Sequence, residues 1–391
     1  MQPIRPIVCL IALLTPGLAI AASPVAYVYV QQPLQGASSS APIYAYAAAS
    51  AGILTPIKGS PFTATGTIVG TNGTHFITSY QTDLYSYDVA SDGVIGAQAA
   101  EINTGLYTGS ECGSIDGAVL DHTGQDVYAT LNLAGTCADV QTFEIGKTGT
   151  LTFLGATGDI SHGGTPAETP LKIAGNNKFA YNAPEAQDWT SPTAGCNPFL
   201  NGFTRASNGT LDYTAPTVDV TGPESSGSEL LPVPWLMTDD PTDHLAVAVF
   251  NTSGAPCGNG GAIQLASFTA SSQGALTSTN TGGNMPTVPG GASIVLLNPA
   301  GTLLAVATST GVQFFHFNGA KPITEFTGII GTSGFIAAMA WDNSNHLYAI
   351  NGASGNLHVY DATTTSVKEV SGSPYSDVCG ADTCTLIVRF P

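Results

Sequence analysis

The sequence predicts an all-β fold built from one four-stranded unit that is repeated along the chain. Three observations support this prediction: the composition and two recurring hairpin patterns. Only 9% of the 391 residues are charged, and the chain contains 46 Gly and 25 Pro. Together with abundant Ser, Thr, Ala and Val, this composition favours many strands and turns over helices.

The first recurring pattern is an apolar segment, a short turn containing Gly or Asn, and a second apolar run. The clearest copy is "LNPAGTLLAVA", residues Leu297 to Ala307. Five further copies are centred on Gly73, Gly124, Asn176, Thr242 and Asn345. Gly and Asn suit the positive φ angles of hairpin turns, so each copy predicts a hairpin, which we call the first hairpin of its unit.

The second pattern is an alternating strand, a short turn and another strand, and it occurs seven times. Five copies have their turns at Gly52, Gly93, Gly149, Gly209 and Gly274, and the last two at Asn318-Gly319 and a threonine run ending at Thr365. Each copy follows a first hairpin, except the copy nearest the N-terminus. Each complete unit therefore consists of four strands, a first and a second hairpin.

The surplus second hairpin predicts how the repeat closes. The segment "AYVYV" begins directly as a second strand, whereas "TLIVRFP" at the other end of the chain is a lone strand. If Thr385 to Phe390 forms the innermost strand of the unit begun by Pro24 to Val30, the units close into a ring. We therefore predict a seven-bladed β-propeller of four-stranded antiparallel blades, closed by its C-terminal strand.

Residues 1–22 have the pattern of a signal peptide. Arg5 precedes the apolar stretch "IVCLIALLTPGLAI", and small residues around Ala21 and Ala22 offer a cleavage site. We therefore expect a secreted or periplasmic protein whose residues 23–391 form a single propeller domain. The apolar stretch is short and interrupted by Pro16 and Gly17, and no later segment has about 20 consecutive apolar residues, so no membrane span is predicted.

The charge of the chain restricts its partners. Its 27 acidic and 9 basic residues give a formal charge of -18, which becomes 8 - 27 = -19 when Arg5 is removed. Nucleic acid is not an expected partner, because a phosphate backbone is repelled by such a protein. We expect a monomer that binds a glycan, a peptide or a small neutral ligand.

Six cysteines follow the signal peptide, and an even number in an exported chain favours disulfides over metal binding. From the predicted topology we expect the pairs Cys112–Cys137, Cys196–Cys257 and Cys379–Cys384. None of the cysteine spacings suits a zinc site. The segment "TDDPTDH" (Thr238 to His244) resembles a calcium loop but falls on a predicted hairpin turn, so we predict neither a metal nor a cofactor.

Propeller topology separates two faces. The connections between blades and between second and third strands lie on one face, the loop face, and the turns of both hairpins lie on the other, the hairpin face. All six mature cysteines and the longest insertions fall on the loop face, where long loops commonly carry function. Candidate ligand-binding residues there are Asp116, Glu168, Glu185, Asp188, Trp189 and Trp235, with His162 and Asp139 nearby. Arg389, on the closing strand, is the one cation expected to face the channel.

The chain resembles the lactonase-like seven-bladed β-propellers, the group that includes bacterial 6-phosphogluconolactonase and surface proteins built from YVTN-type repeats. The segments that carry this resemblance are "GILTPIKGSPF" (Gly52 to Phe62), its echo "SGSPY" (Ser371 to Tyr375) and "LNPAGTLLAVA". The resemblance implies the propeller fold over nearly all of the mature chain. For members that act on phosphorylated lactones it implies Arg and His before innermost strands, where this chain has "PVPW" (Pro232 to Trp235) and "PGGAS" (Pro289 to Ser293).

Two functions follow as hypotheses. In the first, the protein is an exported binding module that presents a disulfide-braced, acidic and aromatic loop face. In the second, it is a lactonase-type hydrolase of a neutral lactone or sugar lactone. The sequence shows no nucleophile signature such as G-x-S-x-G, so it names no catalytic residue and leaves open whether the protein is an enzyme.

Overall fold

The fold is a ring of seven antiparallel sheets, as predicted. The structure, a computed structural model, describes residues 23–107, 113–133, 137–157, 171–182, 200–213, 230–253, 262–332, 334–376, 378–380 and 384–391. Each sheet is one blade of four strands, and blades 1, 5 and 6 carry a fifth short strand beside the third strand from the centre. A 3-10 helix, Thr104–Leu106, follows blade 2.

The strands of the first four blades have the following bounds. Blade 1 contains β1 (Ala26–Gln31), β2 (Ser40–Ala48), β3 (Leu54–Pro56) and the short β4 (Phe62–Thr65). Blade 2 contains β5 (Thr67–Thr71), β6 (His75–Tyr80), β7 (Asp83–Val89) and β8 (Ile95–Asn103). Blade 3 contains β9 (Ser114–Leu120), β10 (Asp126–Leu133), β11 (Cys137–Ile145) and β12 (Leu151–Ala156). Blade 4 contains β13 (Lys172–Ile173), β14 (Phe179–Asn182), β15 (Asn201–Arg205) and β16 (Leu211–Tyr213).

The remaining blades follow the same plan. Blade 5 contains β17 (Leu230–Asp239), β18 (His244–Ser253), β19 (Ile263–Ala270), β20 (Leu276–Thr277) and the short β21 (Thr287–Val288). Blade 6 contains β22 (Ile294–Leu297), β23 (Leu303–Thr308), β24 (Gly311–Asn318), β25 (Lys321–Glu325) and the short β26 (Ile330–Gly331). Blade 7 contains β27 (Ile336–Trp341), β28 (His346–Asn351), β29 (Leu357–Thr363) and β30 (Ser366–Glu369), and β31 (Thr385–Arg389) then returns to blade 1.

The C-terminal strand closes the ring. β31 pairs antiparallel with β1, with Val388 opposite Val28 and Leu386 opposite Val30. The order of blade 1 is therefore β31-β1-β2-β3, and β31 is its innermost strand. The innermost strands β31, β5, β9, β13, β17, β22 and β27 each contact the next around a central channel. The predicted closure is confirmed, with the strand ending at Arg389 rather than Phe390.

The hydrophobic core lies between neighbouring blades. All six residues of β1 are buried, because Val28 and Val30 pack toward blade 7 while Tyr27 and Tyr29 pack toward blade 2. A strand buried on both faces has few polar positions, which explains the near-continuous apolar runs in the sequence. Each blade is therefore covered on both faces only when the ring is complete.

Tyrosines on second strands tie each of three blades to the following one. Their hydroxyls donate hydrogen bonds to carbonyls in second-hairpin turns: Tyr29 to Gly93, Tyr128 to Gly209 and Tyr181 to Gly274, each at 2.8 Å. These turns approach the neighbouring blade closely. Gly93 has φ +85°, and a Cβ atom there would lie 2.5 Å from Tyr27 Cδ1. Both the positive φ angle and the close contact with Tyr27 therefore require glycine at this turn.

A side-chain carbonyl caps five of the six first-hairpin turns. Asn72, Asp121, Asp240, Asn298 and Asp342 each accept hydrogen bonds from backbone amides two to five residues later. Such Asx turns fix the hairpin geometry locally. The segment "TDDPTDH" contains one of them, at Asp240, and forms the predicted hairpin turn.

Blade 7 extends this cap into a buried polar cluster. Asp342 is fully buried, and its carboxylate binds His346 Nδ1 at 2.7 Å and the Tyr348 hydroxyl at 2.8 Å. Although burial acts to raise it, these hydrogen bonds hold the pKa of Asp342 below its ordinary value. The preceding Trp341, at the end of innermost strand β27, is a core residue that is 5% exposed.

The two copies of the G-S-P motif form equivalent structures. Ser60 Oγ accepts a hydrogen bond from the backbone amide of Ala45, and Ser373 Oγ accepts one from the backbone amide of Val359, both at 2.9 Å. The proline that follows each serine is joined by a cis peptide bond. The echo in the sequence therefore marks the same connection after the outermost strand of blades 1 and 7.

One of the three predicted disulfides lies within the described residues. Cys379 and Cys384 are bonded, with Cα atoms 6.2 Å apart, on the connection that leads into β31. The pairs Cys112–Cys137 and Cys196–Cys257 involve residues outside the described ranges and stay predictions. Among the described residues, no helix is long and apolar enough to cross a membrane.

Removal of residues Cys384 to Pro391 should destabilise the whole ring, because it exposes β1 and removes Leu386 from the core. Loss of one buried leucine alone costs about 3 kcal/mol. Thermal unfolding of the truncated chain should begin well below that of the parent. Addition of a synthetic peptide of the missing residues should restore part of the loss by strand addition. Unchanged melting of the truncated chain would contradict the closure.

Asp342→Ala should lower the free energy of unfolding by about 3 kcal/mol, because it leaves His346, Tyr348 and two backbone amides without their acceptor. Asp92→Ala, in an exposed second-hairpin turn, is the matched control and should change stability by about 0.5 kcal/mol at most. Chemical denaturation of the parent and both variants measures the difference. Equal losses in the two variants would show that the buried cluster does not stabilise blade 7.

Candidate functional site

The hairpin-face end of the channel contains a cavity of about 600 Å³. All seven blades contribute to its wall, which is largely apolar. Half-buried side chains in that wall include Val119, Leu120, Leu296, Ile387 and Val388. A cavity of this size and composition is typical of sites for small molecules.

A histidine–carboxylate pair forms the polar part of this cavity. His122 Nε2 lies 3.0 Å from Asp239 Oδ2 and 2.7 Å from the carbonyl oxygen of Ile173. Both partners accept hydrogen bonds, so Nε2 carries the proton, and Nδ1 is an acceptor whenever the ring is neutral. The His122 side chain is 45% exposed and that of Asp239 13% exposed.

The pair spans three blades, and a glycine makes this possible. His122 lies in the capped turn of blade 3, directly after Asp121. Ile173 lies on the innermost strand of blade 4, and Asp239 ends the innermost strand of blade 5. Blade 4 has Ala174 where the other first hairpins have a capping Asp or Asn, and Gly175 follows it. A Cβ atom at Gly175 would lie 1.8 Å from the carbonyl oxygen of Asp240, so any side chain there would push blades 4 and 5 apart.

Electrostatics couple this pair to its surroundings. The hydrogen bond to Asp239 raises the pKa of His122 above its ordinary value, although burial acts in the opposite direction. Lys172, on innermost strand β13, has its pKa lowered by burial, while the Asp239 carboxylate acts to raise it. Asp240 is bonded to His244 Nδ1 at 2.9 Å. The carboxylates of this cavity thus have cationic or hydrogen-bonding partners.

A second, smaller cavity lies at the loop-face end, between blades 2 and 3. It measures about 340 Å³, and Ser79, Tyr80, Gln81 and Asp116 line part of it. Asp116, near the start of β9, is exposed there. The backbone amide of Ile115 donates to the carbonyl of Gln81 at 2.7 Å, which joins the two blades beside the cavity. Asp116 is therefore a predicted site residue that the structure places in the wall of a cavity on the loop face.

Arg389 lies at the opposite end from Asp116, and its guanidinium is engaged by the protein. The side chain is 6% exposed, and Nε donates to the carbonyl of Gly73 at 2.7 Å. Its Cζ atom lies 5.1 Å from the centre of the Tyr27 ring. The guanidinium therefore packs between blades 1 and 2 and contacts a turn, instead of facing the channel as the sequence suggested.

Most of the other predicted site residues belong to segments outside the described ranges. Glu168, Glu185, Asp188, Trp189 and His162 lie outside the described residues. The backbone of Trp235 belongs to β17, but its side chain lies outside what the structure describes. Their role in ligand binding stays a prediction. Among the described residues, no group of three or more His, Cys, Asp and Glu side chains could hold a metal ion.

The sequence predicted a turn that contains Asp239, and the pairing of Asp239 with His122 was not predicted. The repeat nevertheless contains a feature that indicates this pairing. Asp239 directly precedes the turn cap, a position occupied by Leu297 in blade 6 and Trp341 in blade 7. A carboxylate at an apolar position of an innermost strand indicates a polar contact inside the channel.

His122→Gln should reduce stability most at low pH. Because the folded pKa of His122 is raised, its contribution is fully present below about pH 6.5 and is lost as the pH rises through the folded pKa. The exposure of the ring limits this contribution to about 1 kcal/mol. The difference in unfolding free energy between parent and variant should therefore shrink as the pH rises above about 6.5. His316→Gln in blade 6 is the control, and a difference that grows with pH would contradict the pairing.

Comparison with known proteins identifies similar folds. No family model and no curated protein matches the chain. A protein of unknown function from Desulfotomaculum acetoxidans is 14% identical, with a TM-score of 0.57 over 94% of this chain and 99% of that one. A protein from Lactobacillus plantarum is 14% identical, with a TM-score of 0.56 over 94% and 99%. A candidate 6-phosphogluconolactonase from Bacteroides uniformis is 13% identical, with a TM-score of 0.58 over 94% and 100%.

At this level of identity the likeness concerns the fold alone, because one fold hosts many unrelated functions. The alignments nevertheless extend over nearly all of each solved chain. The resemblance to lactonase-like seven-bladed β-propellers that the repeats predicted is therefore confirmed as a resemblance of architecture.

Proposed function

We propose that this protein is an exported binding protein whose loop face binds a neutral or cationic partner, either a glycan or a peptide. The observation that carries the proposal is the uneven distribution of basic residues, which lie mainly away from the loop face. It has two parts, the positions of the basic residues and the composition of the segments that connect strands on the loop face.

The basic residues lie mainly away from the loop face. Lys147, Lys178, Arg205 and Lys321 are at or next to hairpin-face turns, Lys58 and Lys368 are on the outer parts of blades 1 and 7, and Lys172 and Arg389 are on innermost strands. These eight are all the lysines and arginines that follow the signal peptide. Arg205 is bonded to Asp121 and Asp126, so its charge is matched within the fold.

The loop-face connections are acidic by sequence. The segments after position 22 that lie outside the described residues carry no lysine or arginine, and each joins strand ends that face the loop side. Their ten carboxylates are Glu111, Asp159, Glu168, Glu185, Asp188, Asp219, Glu224, Glu229, Asp377 and Asp382. An acidic surface of this kind repels phosphorylated ligands and attracts cationic ones.

The Cys379–Cys384 disulfide supports the same proposal. It ties the connection between β30 and β31, one of the loop-face connections, to the strand that closes the ring. A disulfide is stable in an oxidising compartment, which agrees with the export expected from residues 1–22. The sequence of the connection it braces includes Asp377 and Asp382.

A second function, hydrolysis of a neutral lactone or sugar lactone, is favoured by one observation. The candidate 6-phosphogluconolactonase from Bacteroides uniformis shares this architecture over its whole length. A phosphorylated lactone brings about two negative charges, and recognition of such a group normally uses clustered arginines. An uncharged lactone therefore fits this chain better than a phosphorylated one.

Purified residues 23–391 should not hydrolyse 6-phosphogluconolactone above the spontaneous rate, because no cationic cluster offsets the charge of the substrate. Binding to arrays of neutral glycans and of cationic peptides should be detected instead. Glu185→Ala combined with Trp189→Ala should weaken that binding about tenfold, equivalent to about 1.4 kcal/mol. Asp92→Ala, on the hairpin face, should leave it unchanged. Turnover of the phosphorylated lactone by the parent would overturn the proposal.

A further inference from the structure

We infer that the cavity at the hairpin-face end of the channel is a binding site for a small, uncharged, largely apolar molecule that donates one hydrogen bond to His122. This site lies at the other end of the channel from the loop face. It goes beyond the proposed function and does not depend on it.

The wall of the cavity supplies the apolar part of the site. Val119, Leu296 and Ile387 come from blades 3, 6 and 1, and each is half-buried although its neighbours in the blade core are fully buried. Water against such a wall gains few hydrogen bonds, so an apolar molecule that displaces it is favoured. The volume of about 600 Å³ lies within the range of ordinary small-molecule pockets.

His122 supplies the polar anchor. Asp239 and the Ile173 carbonyl hold Nε2 on one side of the ring, so the ring orientation is fixed before a ligand arrives. At a pH above the raised pKa of His122 the ring is neutral and Nδ1 is an acceptor, and no described residue donates to it. A ligand hydroxyl or amine N–H meets that requirement, and a few fixed polar groups in an apolar pocket are what orient a ligand.

The charged groups in the cavity wall favour an uncharged ligand. The cavity wall contains the carboxylates of Asp239 and Asp240, and the chain as a whole is strongly acidic, so an anion is disfavoured. A cation gains little, because Asp239 is bonded to His122 and Asp240 to His244. The charge of Lys172 interacts with the same Asp239 carboxylate, so it does not attract an anionic ligand strongly.

Two dyes of the same skeleton test this inference. N-phenyl-1-naphthylamine is uncharged, apolar and carries one N–H donor, whereas 8-anilinonaphthalene-1-sulfonate adds a negative charge. Titration of residues 23–391 should give saturable fluorescence enhancement with the neutral dye, and binding of the anionic dye should be at least tenfold weaker. Equal or tighter binding of the anionic dye, or no saturable binding of the neutral dye, would overturn the inference.

Variants locate the dye. Leu296→Gln keeps the size of the side chain and makes the wall polar, so it should weaken binding of the neutral dye about tenfold. His122→Gln should weaken it about threefold or more. His316→Gln, in blade 6 outside the cavity, should leave it unchanged. Melting curves verify that each variant is folded, and unchanged dye binding by folded Leu296→Gln and His122→Gln would exclude this cavity.

Discussion

The pairing of β31 with β1 is the constraint on which the rest of the structure depends. Because every blade is apolar on both faces, each needs a neighbour on both sides, and only a closed ring provides this for blades 1 and 7. The same strand contributes Leu386, Ile387 and Val388 to the wall of the channel cavity. Closure and the candidate ligand site are thus consequences of one strand pairing.

Repeated polar contacts fix how closely the blades approach, and exceptions to the repeat mark the channel site. Tyr29, Tyr128 and Tyr181 make equivalent hydrogen bonds to the next blade, and Asx caps recur at the first-hairpin turns. Blade 4 departs from this pattern: its cap position is Ala174, and at the next residue, Gly175, the chain of blade 5 comes too close for a side chain. The same close approach brings Asp239 within reach of His122, so a deviation required by packing creates the polar group of an otherwise apolar cavity.

The sequence predicted most of the fold, because its signals are local. Turn residues such as Gly93 and Asn345 need positive φ angles, and the alternation beside them marks strands. The five-residue spacing of Cys379 and Cys384 likewise made their bond predictable. The site was harder to predict, since His122, Ile173 and Asp239 belong to three blades, and their contact depends on how those blades pack. Arg389 was misjudged for the same reason, because its partner Gly73 lies far away in sequence.

Hydrogen exchange at the amides of β31 tests the closed ring most directly. If β31 is held as part of one cooperative unit, its protected amides exchange only on global unfolding, as slowly as those of the buried strand β23 in blade 6. The outermost strand β30, which is largely exposed, should exchange faster. Exchange of β31 at the rate of β30 would contradict the account, because the ring would then open at its seam without unfolding.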